Sequence, residues 1–220
     1  MAAARSGATR RPAGRALAAL ELAAFAASIL AFIWWLEPLG NSSIIAAFYV
    51  FIFAFAVGSN ALHGDTPRSL GIRFDTLARS ARDVTPPTVI AVAVFALAGL
   101  ISGSLRWPEG TNVARGVAGY TTWALVQQYA LNGFVLQRLL DAGARRRAPL
   151  AAAALFALMH LPNPGLMALT FAGGLVWCRA FVRAPNLLPL AVSHACAALA
   201  ADRSLPSWFV AGLRIGPGYN

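Results

Sequence analysis

The feature that most constrains this chain is a succession of apolar runs long enough to leave water. Ala16–Trp35 matches the about 20 residues that cross a bilayer's hydrocarbon core, and Ser43–Leu62, Pro86–Ser104 and Gly116–Leu140 repeat the pattern. Three shorter runs follow, Leu150–His160, Leu166–Phe181 and Leu187–Ala201, broken by Pro162, Pro164, Pro185 and Pro189. A last run, Leu205–Ile215, is short for a span. Backbone in lipid must satisfy its own hydrogen bonds, so such runs fold as helices. The expected class is an all-α polytopic membrane protein: one membrane domain over residues 16–220 behind a basic cytoplasmic tail, residues 1–15.

Composition excludes the alternatives. Of 220 residues, 58% are hydrophobic and 12% charged, against about 25% charged in soluble domains. The net charge of +10 comes from 18 basic residues, all of them Arg. They are scattered through loops, which reads as a topology signal and not as a nucleic-acid surface. With the N-terminus in the cytoplasm, only Arg106, Arg115 and Arg203 fall outside, and Arg214 falls inside with the rest. The first run is long enough to span and lacks a small-residue cleavage site, so it reads as a retained helix. Cys178 and Cys196 lie in apolar runs and read as small core side chains. The loop after the second run places His63 and Asp65 in solvent and an amphipathic interfacial helix near Phe74–Val84. The third run is expected to begin at its Pro pair.

Polar side chains inside apolar helices cost free energy unless they find partners, so they are site candidates. Gln127, Gln128 and Asn132 sit in the middle of the fourth run. Gln128 and Asn132, four apart, share a face, with Gln127 about 100° round the helix. Three amides in one helix also fit interhelical hydrogen bonding without chemistry. His160 ends the fifth run and His194 lies within the seventh. If these helices converge, they form a polar site inside the bilayer.

These residues fall in a recognisable order. Gln127-Gln128-Tyr129-Ala130-Leu131-Asn132, then Phe156-Ala157-Leu158-Met159-His160, then His194-Ala195-Cys196-Ala197-Ala198 resemble the three motifs of the CPBP family, the CAAX-type glutamic intramembrane endopeptidases. Gly133-Phe134 and Gln137-Arg138 after the first motif, Phe171-Ala172-Gly173-Gly174, Asn186-Leu187-Leu188-Pro189 and the upstream Ser69-Leu70-Gly71-Ile72-Arg73 resemble further elements of the same family. The resemblance implies seven or eight transmembrane helices around a polar intramembrane cavity, open to the cytoplasm or sideways to lipid, with residues 116–201 as its core. It implies hydrolysis of peptide bonds in membrane-anchored substrates. In the family a Glu pair, an Arg, two His and an Asn do this work: the first Glu, helped by the first His, activates water, and the second His and the Asn stabilise the oxyanion.

The departures are specific. Gln127 and Gln128 stand where the family has Glu, Asn132 where it has Arg, and Ala198 where it has Asn, while Phe156, His160 and His194 match. An amide cannot take a proton from water as a carboxylate can. General-base catalysis contributes about 10²–10⁴-fold, and an oxyanion donor about 10²–10³-fold. The expectation is an impaired mechanism with His160 as the remaining base, or a pseudoprotease that binds membrane peptides or lipids or regulates a partner. An unrelated transporter or scaffold would leave His160 and His194 more than about 12 Å apart, beyond reach through one water. No metal or cofactor is expected, since two imidazoles fall short of zinc's usual three or four ligands. Candidate catalytic positions are therefore Gln127, Gln128, Asn132, His160 and His194, with Phe156 and Ala198 as substrate contacts. The expected partners are a membrane-anchored peptide or protein and the lipid bilayer, with no nucleic acid. The all-Arg basic content and short loops point to a bacterial inner membrane.

Overall fold

A computed structural model describes residues 12–106 and 113–219. The tail up to Arg11 and the side chain of Arg115, both part of the expected topology, lie outside the described residues. The described residues form helices and turns, with no strand among them. Helix α1 (Pro12–Ala31) runs on through a π turn, Phe32–Leu36, and a 3-10 turn, Glu37–Leu39. Then come α2 (Ser42–Leu62) and α3 (Leu77–Ser102). α4 (Val113–Gln128) continues through a π segment, Tyr129–Val135, into α5 (Leu136–Asp141) as one rod. After these lie α6 (Ala148–Leu158), α7 (Pro164–Arg183), α8 (Leu187–Ser204) and a last short turn of helix, α9 (Ser207–Val210). Gly14–Leu39, α2, α3 and α7 are each long and apolar enough to cross a bilayer, and the chain is an all-α integral membrane protein.

Local chemistry sets the helix starts. Asn41, Asn163 and Asn186 cap α2, α7 and α8, their side-chain oxygens accepting from backbone N–H groups of the first turn, which satisfies donors that would otherwise be orphaned. Pro164 follows its cap at a position that needs no donor. The third span does not begin at its Pro pair. α3 starts at Leu77 and carries Pro86 and Pro87 inside it, so most of the segment expected to lie along the interface is continuous with the span. The Thr85 and Thr88 hydroxyls bond the Ala81 and Val84 carbonyls through this stretch, the local repair that lets membrane helices keep Pro.

α8 is the centre of the bundle. α3 and α4 pack along it, and α6 pairs with α7. Small residues allow the close contacts. A Cβ on Gly99 of α3 would come 2.6 Å from the Ser204 carbonyl oxygen of α8, and one on Gly174 of α7 would lie 3.3 Å from Ala153 Cα of α6. α6 has 11 residues, about 16 Å of rise, so it ends within the bundle and leaves His160 at depth.

The two ends of the bundle differ in charge. Arg15, Arg68, Arg73, Arg145, Arg179 and Arg183 are among those at the end where α1, α3 and α8 begin. Arg106 and Arg203 meet at the other end, the Arg106 N–H donating to the Arg203 carbonyl at 2.7 Å. Leu205–Ile215 does not span. It folds back over the turn between α6 and α7, where Asn163 Nδ2 donates to the Val210 and Arg214 carbonyls. Arg214 therefore joins Arg106 and Arg203 at the Arg-poor end, which corrects its expected place.

His63, Asp65 and Arg138 are not solvated. Arg138 and Asp65 pair with both side chains fully buried. Arg138 also donates to Asn60 Oδ1 at 3.1 Å and lies 3.4 Å from Asp141. His63 sits between Glu21, 2.8 Å from Nε2, and Asp141, 3.3 Å from Nδ1. This network ties α1, the end of α2 and α5 together at the Arg-rich end.

Candidate functional site

The end of α4, the turn after α6 and the middle of α8 converge. Gln127, His160, His194 and Ala198 line one cavity of about 700 Å³. Its walls come from the middle stretches of α3, α7 and α8 and the second half of α4, together with Gly212, Leu213 and Ile215 on the Arg-poor side. The cavity thus extends toward the Arg-poor end. Gln127 faces it, and its amide makes no hydrogen bond among the described residues. Phe156, on α6, stands behind both imidazoles. Its ring centroid is 4.9 Å from that of His160 and 6.0 Å from that of His194, edge-on to each. The imidazoles are therefore closer than the 12 Å expected of an unrelated scaffold.

Gln128 and Asn132 do not reach the cavity; both are fully buried behind it. Asn132 Nδ2 donates to Gln128 Oε1 at 2.7 Å, and Gln128 Nε2 donates to His194 Nδ1 at 3.3 Å. The i,i+4 spacing brings the two amides together, and the relay then sets the His194 tautomer. With Nδ1 accepting, the proton resides on Nε2, which becomes a donor. His160 has the opposite tautomer. Its Nδ1 lies 2.7 Å from the Phe156 carbonyl oxygen, which only accepts, so Nδ1 carries the proton and Nε2 keeps its lone pair. One imidazole is thus a base and the other a hydrogen-bond donor.

Three positioning residues escaped sequence reasoning. Trp177 stacks on His194 with centroids 4.3 Å apart. Its Nε1–H donates to Ser193 Oγ at 3.0 Å, and Ser193 Oγ lies 2.6 Å from Thr88 Oγ1. These contacts hold the imidazole plane from α7, α8 and α3. Nothing in the spacing of Trp177 within its apolar run distinguishes it from a lipid-facing aromatic, so no sequence signal existed to find it.

No Asp or Glu lines the cavity among the described residues. Two imidazoles without a carboxylate or thiolate beside them do not make up zinc's usual ligand set. No three His, Cys, Asp or Glu side chains among the described residues gather to hold a metal ion. What remains is a largely apolar chamber whose polar lining includes one imidazole acceptor, one imidazole N–H donor, the Gln127 amide and the Tyr120 hydroxyl.

No curated protein and no solved structure matches the chain. Residues 109–200, which contain Gln127, Gln128, Asn132, Phe156, His160, His194 and Ala198, match the family model described as type II CAAX prenyl endopeptidase, Rce1-like. Over that segment the chain is similar to the CAAX-type (CPBP) intramembrane endopeptidases.

Proposed function

We propose that the cavity binds a membrane-anchored peptide, the kind of substrate the family cleaves, and that hydrolysis is lost or nearly so. The observation that carries this reading is the absence of any carboxylate among the described cavity-lining residues, at a site whose family mechanism depends on one. Gln127 presents an amide there, which matches a peptide group donor to acceptor but cannot accept a proton from water. The loss of a general base alone removes about 10²–10⁴-fold in rate. The missing Asn at position 198 removes an oxyanion donor besides. Binding needs none of these groups ionised, and a neutral site is cheaper to keep inside the membrane.

A second reading rests on the His160 tautomer. Both imidazoles line the same chamber, so a slow hydrolase with His160 as base and His194 as oxyanion donor has the minimum of parts. A purified-protein assay with a membrane-anchored reporter peptide separates the two. The binding reading expects capture without product. The hydrolase reading expects product that disappears in His160→Ala.

Positive charge gathers on the cytoplasmic side of membrane proteins. The Arg-rich end supports a cytoplasmic N-terminus, and the all-Arg basic content supports a bacterial plasma membrane.

A further inference from the structure

Three of the cavity's approaches differ in how they are closed. Toward the Arg-rich end its floor is packed core: Trp177, Cys178, Phe181 and Leu190 are all buried, with Leu131 and Leu136 of the π-helical rod against them. Toward the Arg-poor end the segment after α8 lies across it, pinned by Asn163 to Val210 and Arg214 and by the Gly216 N–H donating to the Leu161 carbonyl at 2.8 Å. This lid sits on Gly165, whose missing side chain admits Phe209.

The remaining approach is sideways. α3 and α4 each pack extensively on α8, yet among the described residues they pack at most weakly on one another. Ala91 and Val94 on α3, and Tyr120, Trp123 and Gln127 on α4, line the cavity from the two sides of that seam. At its lips Ile90 is 63% exposed, Val94 55% and Trp123 45%. Exposed aliphatic and aromatic side chains at mid-helix in a membrane protein are solvated by acyl chains, not by water.

We infer that the occupant enters from the lipid through the seam between α3 and α4, as the extended part of a membrane-anchored peptide. This rests on the peptide-binding reading above for the identity of the occupant, but not for the route. A peptide is favoured over an acyl chain because the polar groups lining the cavity include an imidazole acceptor, an imidazole N–H donor, the Gln127 amide and the Tyr120 hydroxyl. A backbone peptide unit in hydrocarbon needs such partners and an acyl chain has none to offer. Ala91 is a small, half-buried side chain that lines the cavity from α3, and Ala93, exposed on the same helix, does not line it.

The route is tested first without any ligand. Ala197, which lines the cavity, is replaced by Cys in a Cys196→Ala background and labelled with a nitrobenzoxadiazole fluorophore; Cys178 is fully buried. In phosphatidylcholine vesicles, lipids with a mid-chain nitroxide are expected to quench the label and aqueous iodide to leave it bright. Ala91→Phe should cut the lipid quenching several-fold, and Ala93→Phe should not. Quenching by iodide but not by lipid, or lipid quenching that Ala91→Phe leaves unchanged, overturns the inference. A second arm measures photo-crosslinking of a single-span Leu/Ala peptide with a short polar tail to the same proteins. Ala91→Phe should lower capture at least about ten-fold, equivalent to about 1.4 kcal/mol. Lipid quenching blocked by Ala91→Phe, with no capture by the parent protein, refutes the peptide-binding reading and leaves the route standing. Capture undiminished by Ala91→Phe refutes the route and leaves the reading.

Discussion

Gln128 of α4 and His194 of α8 are joined amide to imidazole, Nε2 to Nδ1, at 3.3 Å. Because Asn132 holds the other end of the Gln128 amide, the relay dictates which nitrogen of His194 carries the proton. Gln128→Glu should reverse it. A carboxylate accepts and cannot donate, so Nδ1 must take the proton and Nε2 becomes the lone-pair atom. Nitrogen-15 spectra of labelled His should show the Nε2–H tautomer in the parent and the Nδ1–H tautomer in the variant. Gln128→Leu removes both bonds in a buried place, and should lower stability by about 1–3 kcal/mol in thermal unfolding in detergent.

The buried charges at the Arg-rich end make a stronger demand. Arg138→Met leaves Asp65 buried beside no guanidinium. Breaking one side of a buried pair typically costs about 3–5 kcal/mol. The variant should unfold at markedly lower temperature or fail to accumulate, and Asp65→Asn added to it should recover part of the loss.

The loop before α3 is docked on the turn between α7 and α8. The Leu187 N–H donates to the Gly71 carbonyl at 3.0 Å, and Asn186 Nδ2 donates to the Arg73 carbonyl at 2.6 Å. Gly71 has φ +81°, and a Cβ there would lie 2.7 Å from the Phe181 ring. Asn186→Ala should cost about 1–2 kcal/mol through the lost cap. Gly71→Val should cost more, since it adds backbone strain to a clash. Hydrogen exchange should quicken in residues 67–76 and in the first turn of α8 together.

The same loop carries a pH-dependent contact outside the membrane. Hydrogen bonds from Arg73, and then the Arg68 charge, push the Asp75 carboxyl down from 3.8 to about 2. A depressed carboxyl contributes stability that is present above the ordinary value and lost as pH falls through the folded one. Exchange in residues 67–76 should therefore be unaffected by Asp75 between pH 5 and 8, and should quicken only from about pH 4 down to about 2. Asp75→Asn should show the quickened exchange at neutral pH. The contact is exposed, so global unfolding should hardly move.

Much of this was legible in the sequence because it is local. Apolar run lengths located the helices, and the four-residue spacing of Gln128 and Asn132 correctly put them on one face. The order of the amides and His160 and His194 along the chain points to a shared site. The ion network was not legible, because Glu21, His63, Asp65, Arg138 and Asp141 come from three separate parts of the chain and each alone looks like a loop or helix-end charge. The course of Leu205–Ile215 was hidden for a similar reason: its apolar residues pack on the bundle, and a hydropathy pattern cannot distinguish burial in protein from burial in lipid. The continuity of α3 through Pro86 and Pro87 depended on hydroxyl partners that only the folded turn brings into place.

The most direct test is turnover. Purified wild-type protein and the variant Gln127→Glu, Gln128→Glu, Asn132→Arg, Ala198→Asn, which restores the family's motif residues, are given the same membrane-anchored reporter peptide in vesicles. The account predicts that wild type retains the peptide uncut while the restored variant releases product. Product from wild type that vanishes in His160→Ala would contradict it, and would make the protein a peptidase driven by imidazole alone.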